Sequence, residues 1–208
     1  MWYPILVTVL VGYLLGNLNG SVCMSVLQGR EDVRSRGSGN AGLTNFVRNF
    51  GFSSAIVVIL IDVGKTVLAC LAGELMLKSY GYAREGMVLG AVAVSLGHDF
   101  PALMGFRGGK GILCGIAAAA VLDWRAALII LGVFIVFYLV SGYVSLGSVM
   151  GAVTYCVCFI VFHFEEPWVM AGGVFLGLLA LFMHRGNIAR LCKGTEKKTS
   201  LFRKEKQS

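Results

Sequence analysis

Long apolar runs alternate with short polar stretches along the whole chain. Seven apolar segments can be distinguished, at residues 2–28, 52–77, 86–104, 111–122, 125–140, 146–163 and 168–184. A transmembrane helix needs about 20 mostly apolar residues, so the pattern predicts an all-α membrane protein, a seven-transmembrane-helix bundle. The fourth segment, about 12 residues long, is predicted to be one short helix, either a half-span or a buried re-entrant segment. The first segment is too long an apolar run for a signal peptide and is expected to be a span.

Composition agrees with a membrane protein and excludes an ordinary soluble domain. Of the 208 residues, 57% are hydrophobic and 14% are charged, whereas soluble domains average about 45–50% and about 25%. No internal repeat or linker divides the chain, so a single integral membrane domain over residues 1–208 is expected. Most of the six cysteines lie inside apolar segments, where cysteine acts as a small hydrophobic residue.

Basic residues indicate which way the bundle points. With the N-terminus outside and seven crossings, 14 of the 18 lysines and arginines fall in loops 29–51, 105–110 and 141–145 and in the tail from about residue 185. Cytoplasmic loops carry such an excess of positive charge, so the C-terminus is predicted to be cytoplasmic. The net charge of +7 does not indicate nucleic acid, because the basic residues interrupt apolar runs. The tail residues 197–206 are assigned to anionic lipid.

Four polar, glycine-rich islands interrupt the apolar pattern, and the predicted topology places all four at the inner surface. We name them the GSGN island (36–48), the GGKG island (98–111), the YVSLGS island (143–148) and the HRGN island (184–196). In the first, closely spaced glycines can turn successive N–H groups towards an anion, and Thr44, Asn45 and Arg48 follow at helical spacing. A polar connector with a helix cap explains the GSGN island equally well.

The GGKG island has the features of an anion-binding loop. Lys110 lies among three glycines where a helix is predicted to begin, and a helix N-terminus beside a cation attracts anions. The loop lacks the insert and the Ser or Thr that a Walker A loop requires, so it is not expected to be part of an ATPase. A cytoplasmic hairpin with basic anchors is the alternative, and His98 by itself would be a capping or core histidine.

The two later islands place polar pairs at the ends of spans. Ser145 and Ser148 are three residues apart, as are His184 and Asn187, so each pair shares a helix face. His184 and Asn187 could reach one ligand. The alternatives are that the two serines bond back to their own helix, and that the second pair marks an interfacial helix end with a basic, lipid-facing tail.

Charged residues inside the second apolar segment, and the motifs that the chain lacks, narrow the chemistry. Asp62 and Lys65 are predicted to form an internal ion pair that stabilises the bundle, with a contribution to the site as a second possibility. The chain has no Gly-x-Ser-x-Gly elbow, no His-Glu-x-x-His pair and no His followed four or five residues later by Asp. No metal and no cofactor are predicted. Several phosphate-competent loops without a nucleophile suggest transfer of an already activated group.

Seven sequence elements, in order over nearly the whole chain, carry a family resemblance. They are Gly20-Ser21, GSGNAGLTNFVRNFG at 37–51, Asp62 with Lys65, HDFP at 98–101, FRGGKG at 106–111, YVSLGS at 143–148 and HRGNIARLCKGTE at 184–196. With these elements the chain resembles the bacterial membrane glycerol-3-phosphate acyltransferases that use acyl phosphate, the PlsY family. It departs from their pattern at Arg107, where Lys is usual, at Cys114, where Thr is usual, and at Gly142, where Arg is common.

The resemblance implies an acyltransferase of the bacterial inner membrane whose active site faces the cytoplasm. Such an enzyme transfers a fatty acyl group from acyl phosphate to the 1-hydroxyl of glycerol 3-phosphate and releases lysophosphatidic acid and phosphate, the first step of phospholipid synthesis. Its partners would be the two substrates, membrane lipid and an enzyme that produces acyl phosphate. The alternatives are a small membrane transporter and a non-catalytic binder of organophosphates or phospholipid head groups.

The resemblance also implies roles for individual residues. The residues expected to be catalytic are His184, Asn187, Lys110 and Ser148. Those expected to bind substrate or phosphate are Ser38, Gly39, Asn40, Thr44, Asn45, Arg48, His98, Gly108, Gly109, Gly111 and Ser145. His184 could accept the proton of the attacking hydroxyl, but the departing phosphate is favoured for that step.

Overall fold

The computed structural model describes residues 2–198, and this part of the chain forms ten α-helices and no strands. They are α1 (Trp2–Asn17), α2 (Gly20–Leu27), α3 (Leu43–Phe50), α4 (Ala55–Lys78), α5 (Ala83–Asp99), α6 (Ile112–Leu122), α7 (Trp124–Ser141), α8 (Val144–Phe162), α9 (Pro167–Met183) and α10 (Arg185–Cys192). In the tail assigned to anionic lipid, Arg203, Lys204 and Lys206 lie outside the described residues.

The helices have the length and composition of a multi-pass membrane protein, as predicted. Four of them, α4, α5 with the turn after it, α7 and α8, are each long and apolar enough to cross a membrane. The pairs α1–α2 and α9–α10 pass the same test together but are bent by 43° and 55°, which gives up to six candidate spans. Helix α6 has 11 residues and is therefore about 16 Å long, about half the thickness of the hydrocarbon layer.

Glycines allow three of these helices to pack backbone against backbone. Gly73 of α4 faces Gly86 of α5, and a Cβ added at either one would collide with the carbonyl oxygen of the other. Gly16 of α1 and Gly97 of α5 make a similar contact. Small residues permit such close approach between membrane helices, so α1, α4 and α5 form one tightly packed group. Helix α6 lies between this group and α7 and α9.

The two ends of the bundle carry different polar groups. At the end where α6 stops, His163 Nε2 lies 3.2 Å from a carboxylate oxygen of Asp123, and its Nδ1 lies 2.9 Å from Glu166. Glu166 also pairs with Arg84 at 2.6 Å. A hydrogen bond from Arg125 holds the pKa of Asp123 at about 2. The opposite end carries the loops of the four islands, which lie together there.

The contact between α4 and α5 predicts opposite effects for two alanine substitutions. Gly86→Ala should destabilise the protein by about 1–3 kcal/mol, because the new methyl group overlaps the backbone of α4. Gly64→Ala in α4 is the matched control, since nothing lies within 4 Å of a Cβ at that position, and it should leave stability unchanged or raise it. Thermal unfolding in detergent measures both, and equal midpoints for the two variants would contradict the close contact.

Candidate active site

Hydrogen bonds and a shared pocket bring the four islands together at one end of the bundle. The side-chain amide of Asn40 and the backbone N–H of Ala41 both donate to the carbonyl oxygen of Gly108, each at 3.4 Å. The Lys110 ammonium donates to the side-chain oxygen of Asn187. Lys110 and Ser148 line the same narrow pocket, whose other walls are mostly apolar. The structure therefore assembles one polar site from segments far apart in the sequence.

Asn45 holds the GSGN island in shape from within. Its amide nitrogen donates to the carbonyl oxygens of Val33, Arg36 and Asn40 at 3.0–3.1 Å. Its amide oxygen accepts from the backbone N–H of Ser38 at 3.0 Å. The side chain is buried, and its polar atoms are all bonded to the loop. We expected Asn45 to contact a phosphate directly, but its side chain stabilises the loop instead.

The other predicted residues of the GSGN island lie around this buried amide. Gly39 has a φ of +70°, which favours glycine. Ser38 and Arg48 are exposed, and Thr44 is half-buried in the first turn of α3. The positive charge of Arg48 adds a small contribution that lowers the pKa of Lys110. These side chains thus border the site on its solvent side.

Two predicted phosphate contacts of the GGKG island are used inside the protein instead. The Gly109 N–H donates to the carbonyl oxygen of His98 at 3.0 Å. The His98 ring is 4% exposed, and its Nδ1 lies 2.8 Å from the ammonium of Lys65. Gly109 and His98 therefore support the loop from below, which differs from the expected contact with a ligand.

Lys110 and the start of α6 place an ammonium group beside backbone N–H groups, with the buried carboxyl of Asp99 next to Gly111. Gly111 precedes α6 with a φ of +68°, and no side chain caps the helix there, so the first N–H groups are directed at the space beside Lys110. Burial lowers the pKa of Lys110, and the positive charge of Arg190 lowers it further. An anion placed beside Lys110 would raise its pKa, because an opposite charge favours the charged form and so acts against both effects.

The HRGN island supplies a chain of hydrogen bonds that reaches Lys110. Asn187, bonded to Lys110 through its oxygen, donates from its nitrogen to Glu196 at 2.7 Å. The other carboxylate oxygen of Glu196 accepts from Arg190 at 2.6 Å. Burial opposes ionisation of Glu196, but hydrogen bonds from Asn187 and Arg190 leave its pKa lowered. Glu196 was not among the predicted site residues, although a lone acid in a basic tail was a signal for it.

His184 and the two serines complete the set of predicted side chains. His184 separates α9 from α10, and its Nδ1 lies 2.8 Å from the carbonyl oxygen of Ala180. That contact makes Nδ1 the protonated nitrogen and leaves Nε2 as an acceptor. The Ser148 hydroxyl donates to the Val144 carbonyl oxygen at 3.0 Å, so its oxygen can only accept from a ligand. Ser145 is buried in the first turn of α8.

One buried cluster has the ligands of a metal site. The ligand atoms of Asp62, His98 and Cys114 lie within 4.8 Å of one another. The ammonium of Lys65 bonds two of them, at 2.9 Å from Asp62 and 2.8 Å from His98. The cluster thus already contains a cation. The predicted pair of Asp62 and Lys65 is therefore present in this cluster.

All six cysteines, which lie within the described range, are free.

Asn45 gives a testable prediction for the GSGN island. Asn45→Ala should cost about 2–3 kcal/mol of local stability, because several buried backbone groups lose their partner at once. Hydrogen exchange of the amides in residues 33–49 should therefore become faster, with global unfolding little changed. Asn49→Ala, which removes bonds only to Asn45, is the matched control. Equal exchange rates in the two variants would show that Asn45 does not organise the loop.

Comparisons with known proteins identify relatives along nearly the whole chain. The family model described as "Glycerol-3-phosphate acyltransferase" matches residues 6–194. A glycerol-3-phosphate acyltransferase of Thermoanaerobacter pseudethanolicus is 35% identical over 191 residues, which are 92% of this chain and 93% of the relative. The enzyme of that name from Shouchella clausii is 38% identical over 202 residues, 95% of this chain and 97% of the relative.

A solved structure agrees with these relatives. The crystal structure of PlsY (YgiH), an integral membrane glycerol 3-phosphate acyltransferase in its glycerol 3-phosphate form, superposes with a TM-score of 0.85 at 29% identity. The match covers 96% of this chain and 99% of that one. On sequence and on fold, this chain belongs to the glycerol-3-phosphate acyltransferase family of integral membrane proteins.

Proposed function

We propose that the protein transfers a fatty acyl group from acyl phosphate to the 1-hydroxyl of glycerol 3-phosphate, giving 1-acyl-glycerol 3-phosphate and phosphate. The observation that carries this proposal is the position of Lys110. It lies at the uncapped start of α6 and at the polar end of a pocket otherwise lined mostly by apolar side chains. A phosphate head beside Lys110 and a hydrocarbon tail along the apolar walls would match this distribution of side chains. The solved relatives include forms with glycerol 3-phosphate and with lysophosphatidic acid.

Each side chain in the site has a role in this reaction. Lys110 and the first turn of α6 bind one phosphate. Ser38, Thr44 and Arg48 help to bind the second, and Ser145 and Ser148 offer further polar contacts. Asn187, held between Lys110 and Glu196, orients the acceptor hydroxyl. No cofactor is needed, because an acyl phosphate is already an activated donor and positioning supplies much of the rate.

The chemical step joins the acceptor oxygen to the acyl carbon and breaks the bond from that carbon to the phosphate oxygen. The hydroxyl proton passes to the departing phosphate, whose oxygen becomes more basic as its bond to the acyl carbon breaks, so the products are the ester and hydrogen phosphate. Lys110 and the α6 N–H groups compensate the negative charge that collects on the leaving group. His184 helps to orient the acceptor, glycerol 3-phosphate, without taking the proton of its attacking hydroxyl.

The same chemistry favours one placement in the cell. We propose seven crossings, with α6 as the short one, the N-terminus outside and the site on the cytoplasmic side of a bacterial inner membrane. The four islands lie at one bundle end, and the predicted inner loops and tail that contain them carry 14 of the 18 basic residues. The chain acts as one domain over residues 1–208, and a separate enzyme supplies the acyl phosphate.

Phosphate release from palmitoyl phosphate tests the proposal. In detergent or lipidic mesophase, release should require glycerol 3-phosphate. Lys110→Ala should reduce it by about 100-fold or more, since a preorganised cation at the leaving group is lost. The control is Lys193→Ala, which should keep wild-type activity. Lys193 is exposed and is not part of the hydrogen-bonded series from Lys110 to Arg190. Release without acceptor would indicate a hydrolase, and no release from folded protein would favour a transporter or a non-catalytic binder.

The route of the proton gives a separate prediction. His184→Ala should lower kcat by about tenfold through poorer orientation of the hydroxyl, and the dependence of kcat on pH should keep its wild-type shape. A protein base typically contributes about 10²–10⁴-fold and leaves its own ionisation in the profile. A limb of the pH profile that disappears only in His184→Ala would show that His184 takes the proton.

A further inference from the structure

A single ammonium group connects three parts of the bundle below the active site. Lys65 of α4 is buried, and its Nζ donates to the carbonyl oxygens of Gly16 and Leu18 at 3.2 and 2.6 Å. These carbonyls lie at the break between α1 and α2. The same Nζ lies 2.9 Å from Asp62 on its own helix and 2.8 Å from Nδ1 of His98 at the end of α5. The N–H groups of the Lys65 ammonium are therefore all bonded to groups of the protein itself.

His98 connects this hydrogen-bond network to the GGKG island. Its Nδ1 accepts from Lys65, while its backbone carbonyl accepts the N–H of Gly109. The ring also lies directly under Gly109, because a Cβ added there would overlap Nε2 and its neighbouring ring carbons. Both the backbone and the side chain of His98 thus touch the residue immediately before Lys110.

We propose that His98, oriented by Lys65, is a positioning residue. It sets the position and orientation of the GGKG loop, and hence the position of Lys110. This inference rests on the proposed function for its kinetic consequence, but the loop geometry can be measured without it. The pair of Asp62 and Lys65 is thus part of the site's support as well as of the bundle. The ring of His98 fixes the loop by contact, and Lys65 fixes the ring by its hydrogen bond.

Three variants separate this role from general stability. His98→Leu removes both the acceptor for Lys65 and the flat ring below Gly109, whereas His98→Asn keeps an acceptor near the position of Nδ1. The double variant Asp62→Asn with Lys65→Met removes the hydrogen bond from Lys65 to His98 but keeps the His98 side chain. Removing both charges avoids an unpaired buried ion. The amide oxygen that Asp62→Asn introduces would still accept from the Gly20 N–H, which Asp62 binds at 3.1 Å.

Hydrogen exchange of the amides in residues 106–111 of the ligand-free protein is the primary measurement. Exchange should become about tenfold faster or more in His98→Leu and in the double variant, and less so in His98→Asn. The control is His163→Gln, which removes an equally buried histidine from the ion pairs at the other end of the bundle. It should not change exchange in the loop.

Acyl-transfer kinetics provide the second readout. A misplaced Lys110 should lower kcat/KM by about 10- to 100-fold, with the KM of a phosphate-bearing substrate rising more than kcat falls, and His98→Asn should recover part of the loss. Unchanged loop exchange in both His98→Leu and the double variant would overturn the inference. Equal acceleration in His163→Gln would also overturn it, since the effect would then be general. If the wild type releases no phosphate, the proposed function fails, but the exchange result still decides the inference.

Discussion

A charged ammonium group in the interior of a membrane protein imposes a strict requirement on everything around it. Removing such an ion from water costs several kcal/mol unless carboxylate and carbonyl oxygens replace its hydration shell. In this protein those oxygens come from Asp62 and from two carbonyls at the break between α1 and α2, and His98 completes the set. The bend in the first helix pair is therefore useful, because a continuous helix would have kept those carbonyls for itself.

The same requirement explains how non-helical loops persist at the edge of the bundle. Backbone groups outside helices need partners when water is scarce. In the GSGN island the amide of Asn45 supplies them, and in the GGKG island the carbonyl of His98 does so. One side of each loop is thus bonded to the protein, which leaves the other side for a ligand. Rigid support below and polar groups above are what an enzyme needs in order to hold two anions near one another.

Sequence reasoning predicted the features that depend on local pattern. Runs of apolar residues indicated the helices, the shortness of α6 and the multi-pass architecture, because hydropathy acts segment by segment. The pairing of Asp62 with Lys65 followed from their spacing on one helix. Partners distant in sequence could not be predicted in this way. Leu18 lies 47 residues before Lys65, and only the packing of α1 against α4 brings them together.

The roles within the site divide along the same line. Lys110 and Asn187 were named from their motifs, and the structure bonds them across 77 residues. Asn45 was expected to touch a ligand, but its amide is surrounded by loop carbonyls, which no motif records. At Gly142 the chain has a left-handed residue that ends α7, and the side chain of Lys198 lies against it and over the ring of Tyr143. A basic group from the tail therefore lies at the position where the family resemblance led us to expect an arginine.

The length of α6 affects the free energy needed to bring a lipid substrate and a soluble substrate together. A helix of about 16 Å in a layer of about 30 Å cannot bring both of its ends to the membrane surfaces, so a span built on α6 has at least one flanking loop set within the layer. A lipid would have to expose part of its chain to water, at about 0.8 kcal/mol for each methylene group, to reach a loop at the surface. In the proposed reaction, a recessed GGKG loop would bring the small, soluble reactant to the lipid, and the fatty chain would remain in the hydrocarbon layer throughout.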